Sequence, residues 1–208
     1  IWNDRPAIPQ HKIELQPLEF AGETTASKLD RIRQALHRQH CDGMLMSALD
    51  DIAWTLNMRG TDVHCNPVFV SYLVIEHEKT TLFVDNDKLT SEVSAYLAML
   101  SIKVLPYNEV GKYLKRDYFA YNILLDPNET NSYLVACAKE GRAAVVLTTS
   151  PIPEMKAVKN ETEIQGFHNA MKRDGVAMVK FLKWLIPAVK AGHETEISLD
   201  KKLTYLRS

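Results

Sequence analysis

Glycine is scarce, with eight residues in 208 and no cluster behind the first apolar run. Neither GxGxxG nor GxxxxGKS/T occurs, so no loop is built to turn several backbone N–H groups onto a phosphate. Charge of one sign is also missing. Twenty-five Lys and Arg face 26 Asp and Glu, for a net charge of −1. That balance leaves no electrostatic footprint for nucleic acid or an anionic membrane. No apolar run approaches the roughly 20 residues needed to span a bilayer. Three cysteines, Cys41, Cys65 and Cys137, have no CxxC spacing. An odd number without that spacing fits neither a disulfide framework nor a structural zinc site, and reads as free cytosolic thiols. GxSxG and HExxH are absent as well, which removes the best-marked serine hydrolase and zinc peptidase patterns.

What is present is an alternation of short apolar runs with amphipathic segments. Residues 1–23 hold three of the nine prolines and read as an extended lead-in. Leu29, Ile32 and Leu36 then recur at helical spacing, predicting a helix from Thr25 to about His40. "GMLMS" is a buried strand. "LDDIAWTLN" is a short helix whose start Asp50 or Asp51 is placed to cap. "NPVFVSYLVIEHEKTTLFVD" predicts a hairpin around the polar turn "EHEK". A helix through Val93, Tyr96, Leu97 and Leu100 follows, then the strand "IKVLPY" and the short helix "EVGKYLKR". The strand "NILLD", the helix "NSYLVACAK" and the strand "AAVVLTT" complete the series. The fold class is therefore α/β, with a mostly parallel, mixed sheet and flanking helices. This domain spans residues 1–150. "SPIPEMKAVKN" carries Pro151 and Pro153, and 151–159 reads as a linker. In 160–208, Asn160 and Glu163 form a capping box ahead of a long helix over about 162–191 that Pro187 ends or kinks. A further helix begins near Thr195 or Ser198. The chain stops inside that helix, and it begins without an initiator Met or a secretory signal pattern, as expected of a fragment of a longer protein.

The chemistry-bearing side chains are concentrated in "DDIAWTLNMRGTDVHCNPVFVSYLVI", residues 50–75. Asp50 and Asp51 are neighbours, so on a helix their side chains diverge. His64 beside Cys65 supplies at most two ligands of the four a zinc site needs. His37 and His40 lie at a helix end, where a solvated position near the negative dipole terminus accounts for them. Arg59, at the turn made by Gly60, is the one candidate for substrate contact. Its structural alternative is pairing with Asp50 or Asp62. No catalytic or metal-ligating residue is assigned.

Four blocks carry a resemblance to a known family. "WNDRPAIP", "PLEFAGETTASKLDRIRQAL", "SALDDIAWTLNMRGTDVHCNPVFVSYLVI" and "MKAVKNETEIQGFHNAMKRDGVAMVKFLKWL" closely resemble the cytosolic three-domain Xaa-Pro aminopeptidases of the creatinase/prolidase/methionine aminopeptidase superfamily. The resemblance implies that residues 1–150 are the middle, creatinase N-terminal-like domain. Residues 160–208 are then the opening helices of a truncated pita-bread metallopeptidase domain. It implies a cytoplasmic parent enzyme, a homodimer holding two Mn²⁺ ions, that removes the residue preceding proline from peptides with proline at the second position. The metal ligands of that family lie beyond Ser208, so this stretch carries no cofactor of its own. Its expected role is structural, in substrate access or in oligomerisation. The block at 50–75 is expected to face the active-site cleft or another subunit, with Arg59 as the residue to test. The alternative is a catalytically inert, peptidase-like module that binds other proteins, as some histone-chaperone subunits do.

Overall fold

Successive side chains of a strand point to opposite faces of a sheet, and that alternation splits the apolar core in two. Met44, Met46, Leu73, Ile75, Leu82 and Leu124 face one layer of helices. Leu45, Val74, Phe83, Ile123 and Leu125 face the other. The chain is described as a computed structural model over residues 3–116 and 121–208; Trp2, in the first family-like block, lies outside the described residues. It divides into two compact units, one ending at Val158 and the other running from Lys159 to Ser208.

The first unit begins with strand β1 (Glu14–Leu15), helix α1 (Leu18–Ala21) and helix α2 (Thr25–Arg38). Strand β2 (Gly43–Met46), helix α3 (Leu49–Leu56) and strand β3 (Met58–Arg59) follow. The hairpin is β4 (Tyr72–Glu76) and β5 (Thr80–Phe83), and then come α4 (Ser91–Met99), β6 (Ile102–Leu105) and α5 (Val110–Leu114). Strand β7 (Asn122–Leu125), α6 (Ser132–Glu140), β8 (Ala144–Leu147) and α7 (Ile152–Ala157) close the unit. The main sheet has the order β6-β5-β4-β2-β7-β8. The hairpin strand β4 pairs antiparallel with both β5 and β2, while β5–β6, β2–β7 and β7–β8 are parallel. The mixed α/β sheet is thus the one the residue patterns predict.

Three local readings need correction. Residues 1–23 are not merely extended: β1 pairs with β3, setting Glu14 opposite Arg59, and Ile13 is fully buried. Asp50 and Asp51 do not cap α3. The helix starts two residues earlier than an Asp50 cap would place it, so the cap falls on Ala48, which has no side-chain acceptor. "NPVFV" is not strand, because β4 begins only at Tyr72. Pro67 has no N–H for a ladder, and Val68 and Phe69 instead fold inward as buried plugs. Within the segment read as a linker, Ile152–Ala157 form α7, and Ile152 is fully buried.

The polar turn of the hairpin hides a charge. Glu76 is buried, accepting the Tyr113 hydroxyl at 2.5 Å and pairing with Arg116 at 3.3 Å. The Arg116 guanidinium stacks 3.5 Å from the Tyr113 ring centroid. Burial, and then its hydrogen bond to Glu76, push the Tyr113 phenol above its usual range.

In the second unit, helix α8 (Glu161–Lys190) is opened by the expected capping box. Asn160 accepts the Glu163 N–H at 2.9 Å, and Glu163 accepts the Asn160 N–H at 2.9 Å. Pro187 sits near the end of this helix, within it. Helix α9 (Glu196–Arg207) is capped by Thr195 and tied to α8 by Arg207 and Asp174 at 2.7 Å. Phe167, Met171 and Leu182, on the apolar stripe of α8, are each more than half exposed. Among the described residues, no helix is long and apolar enough to cross a membrane.

Candidate functional site

The block at 50–75 leaves β2, turns through α3 and β3, and crosses a loop over Gly60–Ser71 before joining the sheet as β4. Two buried features hold that loop. The first is apolar: Phe69 is completely buried, and a Cβ added to Gly60 would lie 2.9 Å from its Cβ and 3.0 Å from the Val68 carbonyl. Only glycine lets the two passes of chain approach this closely. The second is ionic: the Lys88 ammonium binds the Asp62 carboxylate with both side chains fully buried. Asp62 Oδ2 also accepts the Val70 N–H at 2.7 Å, and His11 Nδ1 lies 3.7 Å from Oδ1. One carboxylate therefore binds both the backbone of its own loop and Lys88, which follows β5.

Arg59 lies half-buried at the start of this loop, on β3. Its Nη1 donates to the Ala53 and Met58 carbonyls, each at 2.9 Å. A cation on the last turn of α3 is favourable, because the helix leaves its final carbonyls unsatisfied. Lys28 works at the same helix end. Though it sits on the apolar face of α2, its Nζ donates to Trp54 O at 2.8 Å and Asn57 Oδ1 at 2.7 Å, over the Trp54 ring at 4.3 Å. Asn57, in the left-handed conformation at φ 50°, ends the helix.

Both carboxylates expected as partners for Arg59 are engaged elsewhere. Asp62 binds Lys88, and Asp50 binds Lys156 of α7. Lys156 also lies 2.6 Å from Asp51 Oδ1, and Asp51 is buried. Burial pushes the Asp51 carboxyl up against the opposing pull of Lys156, with Asp50 and Asp126 adding to the rise. Asp50 is held below the usual carboxylate range, its desolvation outweighed by the Lys156 hydrogen bond and charge.

His64 and Cys65 stand at the loop tip beside a hollow of 330 Å³ lined by Gly60, Thr61, Val63, Asn66 and Pro67 as well. A second hollow, of 570 Å³, opens beyond the ends of β5 and β6 and is lined by Ile8, Gln10, Asp85, Asn86 and Tyr107. Among the described residues, no three His, Cys, Asp or Glu side chains come together so as to hold a metal ion.

The sequence reading missed Lys88 and Lys156. Each pairs with a carboxylate far away in sequence, 26 residues for Lys88 and 105 for Asp51 with Lys156. Lys28 did leave a signal. It stands four residues before Ile32 and so on the apolar stripe of α2, where a lysine must find acceptors or leave the core.

The fold and the loop place the chain in a class, and sequence comparison agrees. Residues 4–163 match the model of the creatinase/prolidase N-terminal domain, and the chain belongs to that family. It is 40% identical over 208 residues to Xaa-Pro aminopeptidase 1 of Dictyostelium discoideum, covering 97% of this chain and 32% of that one. It is 38% identical to Xaa-Pro aminopeptidase ApepP of Drosophila melanogaster, covering 100% of this chain and 34% of the relative. The X-prolyl aminopeptidase of Caenorhabditis elegans, described as a cytosolic enzyme with a di-nuclear active site, superposes with a TM-score of 0.89 at 31% identity. That match covers 99% of this chain and 34% of the other. The chain thus spans about a third of the length of the relatives it matches.

Proposed function

We propose that the chain is the non-catalytic middle domain, with the first helices of the pita-bread domain, of a metal-dependent Xaa-Pro aminopeptidase. The domain boundaries are 1–150 for the middle domain, 151–159 for the connection and 160–208 for the catalytic domain's opening helices. The parent enzyme removes the N-terminal residue that precedes proline. It is a cytoplasmic homodimer with two Mn²⁺ ions. The observation that carries this reading is the near-complete alignment of the chain with one third of an X-prolyl aminopeptidase, at 31% identity and a TM-score of 0.89.

The ion pair does not fit the side chains described for this chain, which offer no convergent set of three such ligands. Two-metal hydrolysis needs carboxylates and imidazoles around ions about 3.5–4 Å apart. No step is therefore assigned here to these residues. Their part is to build a rigid wall: a sheet, a loop plugged by Phe69, and a helix end tied by Arg59 and Lys28.

Arg59 is the proposed point of contact with substrate. Its five donors suit a peptide carbonyl or carboxylate, and it stands at the start of the loop over Gly60–Ser71. In the full-length protein, Arg59→Ala should lower turnover of an Xaa-Pro peptide about tenfold or more, on the scale of one lost positioning contact. The unfolding midpoint should fall only modestly, by what the lost bonds to the Ala53 and Met58 carbonyls account for. Parallel loss of activity and midpoint would make Arg59 a structural residue only, and no cleavage by the unaltered protein would sink the functional reading itself.

A further inference from the structure

Helix α7 is the last element of the first unit, and its two ends are fastened differently. Its first turn is anchored by apolar contact, through fully buried Ile152 and half-buried Met155 packed on the core. Its last turn is held by charge. The Lys156 ammonium bridges Asp50 and Asp51 in the first turn of α3. Val158, two residues on, is 80% exposed and offers no apolar anchor before the second unit begins at Lys159.

The bridge sits among further carboxylates. Asp126 follows β7, and its Oδ2 accepts the Ser150 N–H at 2.7 Å, which ties the segment entering α7 to the sheet. Glu129 stands nearby. Burial and then Asp51, Asp126 and Asp50 push its carboxyl up, while Lys156 draws it down. Lys156 thus brings its charge to a group of four acids on α3 and the β7–α6 loop. Two of them, Asp51 and Asp126, are buried. Without the ammonium these acids repel one another, and Asp51 loses a charged partner in a site water scarcely reaches. The apolar first turn of α7 would stay docked while its last turn, and the backbone into α8, came free.

We infer that Lys156 is a positioning residue, clamping the last turn of α7 to α3 and so fixing the backbone that leads from the first unit into α8. In the proposed enzyme this clamp holds in one conformation the backbone that enters the opening helix of the catalytic domain. That consequence for turnover rests on the aminopeptidase reading; the clamp does not.

The test uses the full-length protein with Lys156→Met and Lys156→Arg. Amide exchange is followed at residues 155–160 and, as an internal reference, in β2 and β7. Lys156→Met should speed exchange at 155–160 by about tenfold or more, the signature of a local opening rather than a global one. The reference strands should be unaffected. Turnover of an Xaa-Pro peptide should fall through kcat with little change in KM, and Lys156→Arg should restore both readouts. Unchanged exchange at 155–160, or exchange that rises equally in β2 and β7, overturns the clamp. Faster local exchange with full turnover overturns the positioning role. If the unaltered protein cleaves no peptide, the functional reading fails while the exchange data still judge the clamp. Should Lys156→Met not fold, Asp50→Asn removes the more exposed partner and should give a smaller rise at the same residues; no rise there overturns the clamp too.

Discussion

Lys88→Met should destabilise the first unit by about 3–5 kcal/mol, the usual consequence of leaving a buried charge without its partner. Lys88 and Asp62 are both fully buried, and among the described residues Asp62 retains the Val70 N–H and the more distant His11 once the ammonium is gone. Since small domains have a total stability of roughly 5–15 kcal/mol, the loss is a large fraction of what holds the unit folded. Urea unfolding measures it, with a lowered midpoint and an unchanged slope marking a loss of stability rather than a changed denatured state. The double variant Lys88→Met, Asp62→Leu should recover part of the loss, because no unpaired charge is then left at this position. A single variant as stable as the parent would mean that water reaches this pair and that the loop over Gly60–Ser71 is held by something else.

Phe69→Ala should cost a similar amount, about 3–5 kcal/mol, by removing a buried ring and leaving a cavity. Phe69 is fully buried against Gly60, in a loop that lies outside the strands of the sheet. Its effect should extend to function. In the full-length protein, Phe69→Ala should mobilise the loop and the neighbouring Arg59, lowering turnover under conditions where the fold persists. Phe69→Leu, which keeps most of the volume, should retain most of both properties. Stability loss confined to a few tenths of a kcal/mol would show that the loop collapses easily and is not plugged by this ring.

The two effects also mark what the sequence could and could not show. Strands and helices were legible because burial imposes a period. Met44 and Met46 against Leu45, or Leu73 and Ile75 against Val74, face opposite layers as a two-residue repeat requires. Asn160 and Glu163 were legible because a capping box is local, three residues apart. The missed features are non-local. Lys88 finds Asp62 across the loop, and Lys156 finds Asp51 across most of the unit. A charged residue written after polar neighbours, as in "DNDK", looks solvated until tertiary structure buries it. The cap of α3 was misplaced for another reason: an acidic pair in a first turn satisfies the dipole whether or not it caps, so composition alone does not set the register. Arg59 was singled out for its turn, but its bonds to Ala53 and Met58 are to backbone carbonyls, which no pattern of side chains announces.

The central claim is that this chain is a folded, non-catalytic part of an Xaa-Pro aminopeptidase, and one paired assay tests it most directly. The 208-residue chain and the full-length protein are each incubated with an Xaa-Pro peptide, with Mn²⁺ and then with a chelator, and release of the N-terminal residue is measured. The account predicts release only by the full-length protein and only with metal, together with a thermal midpoint of the 208-residue chain that Mn²⁺ does not raise, since an ion bound by the native state alone would raise it. Metal-dependent release by the 208-residue chain itself, or none by the full-length protein, would contradict it.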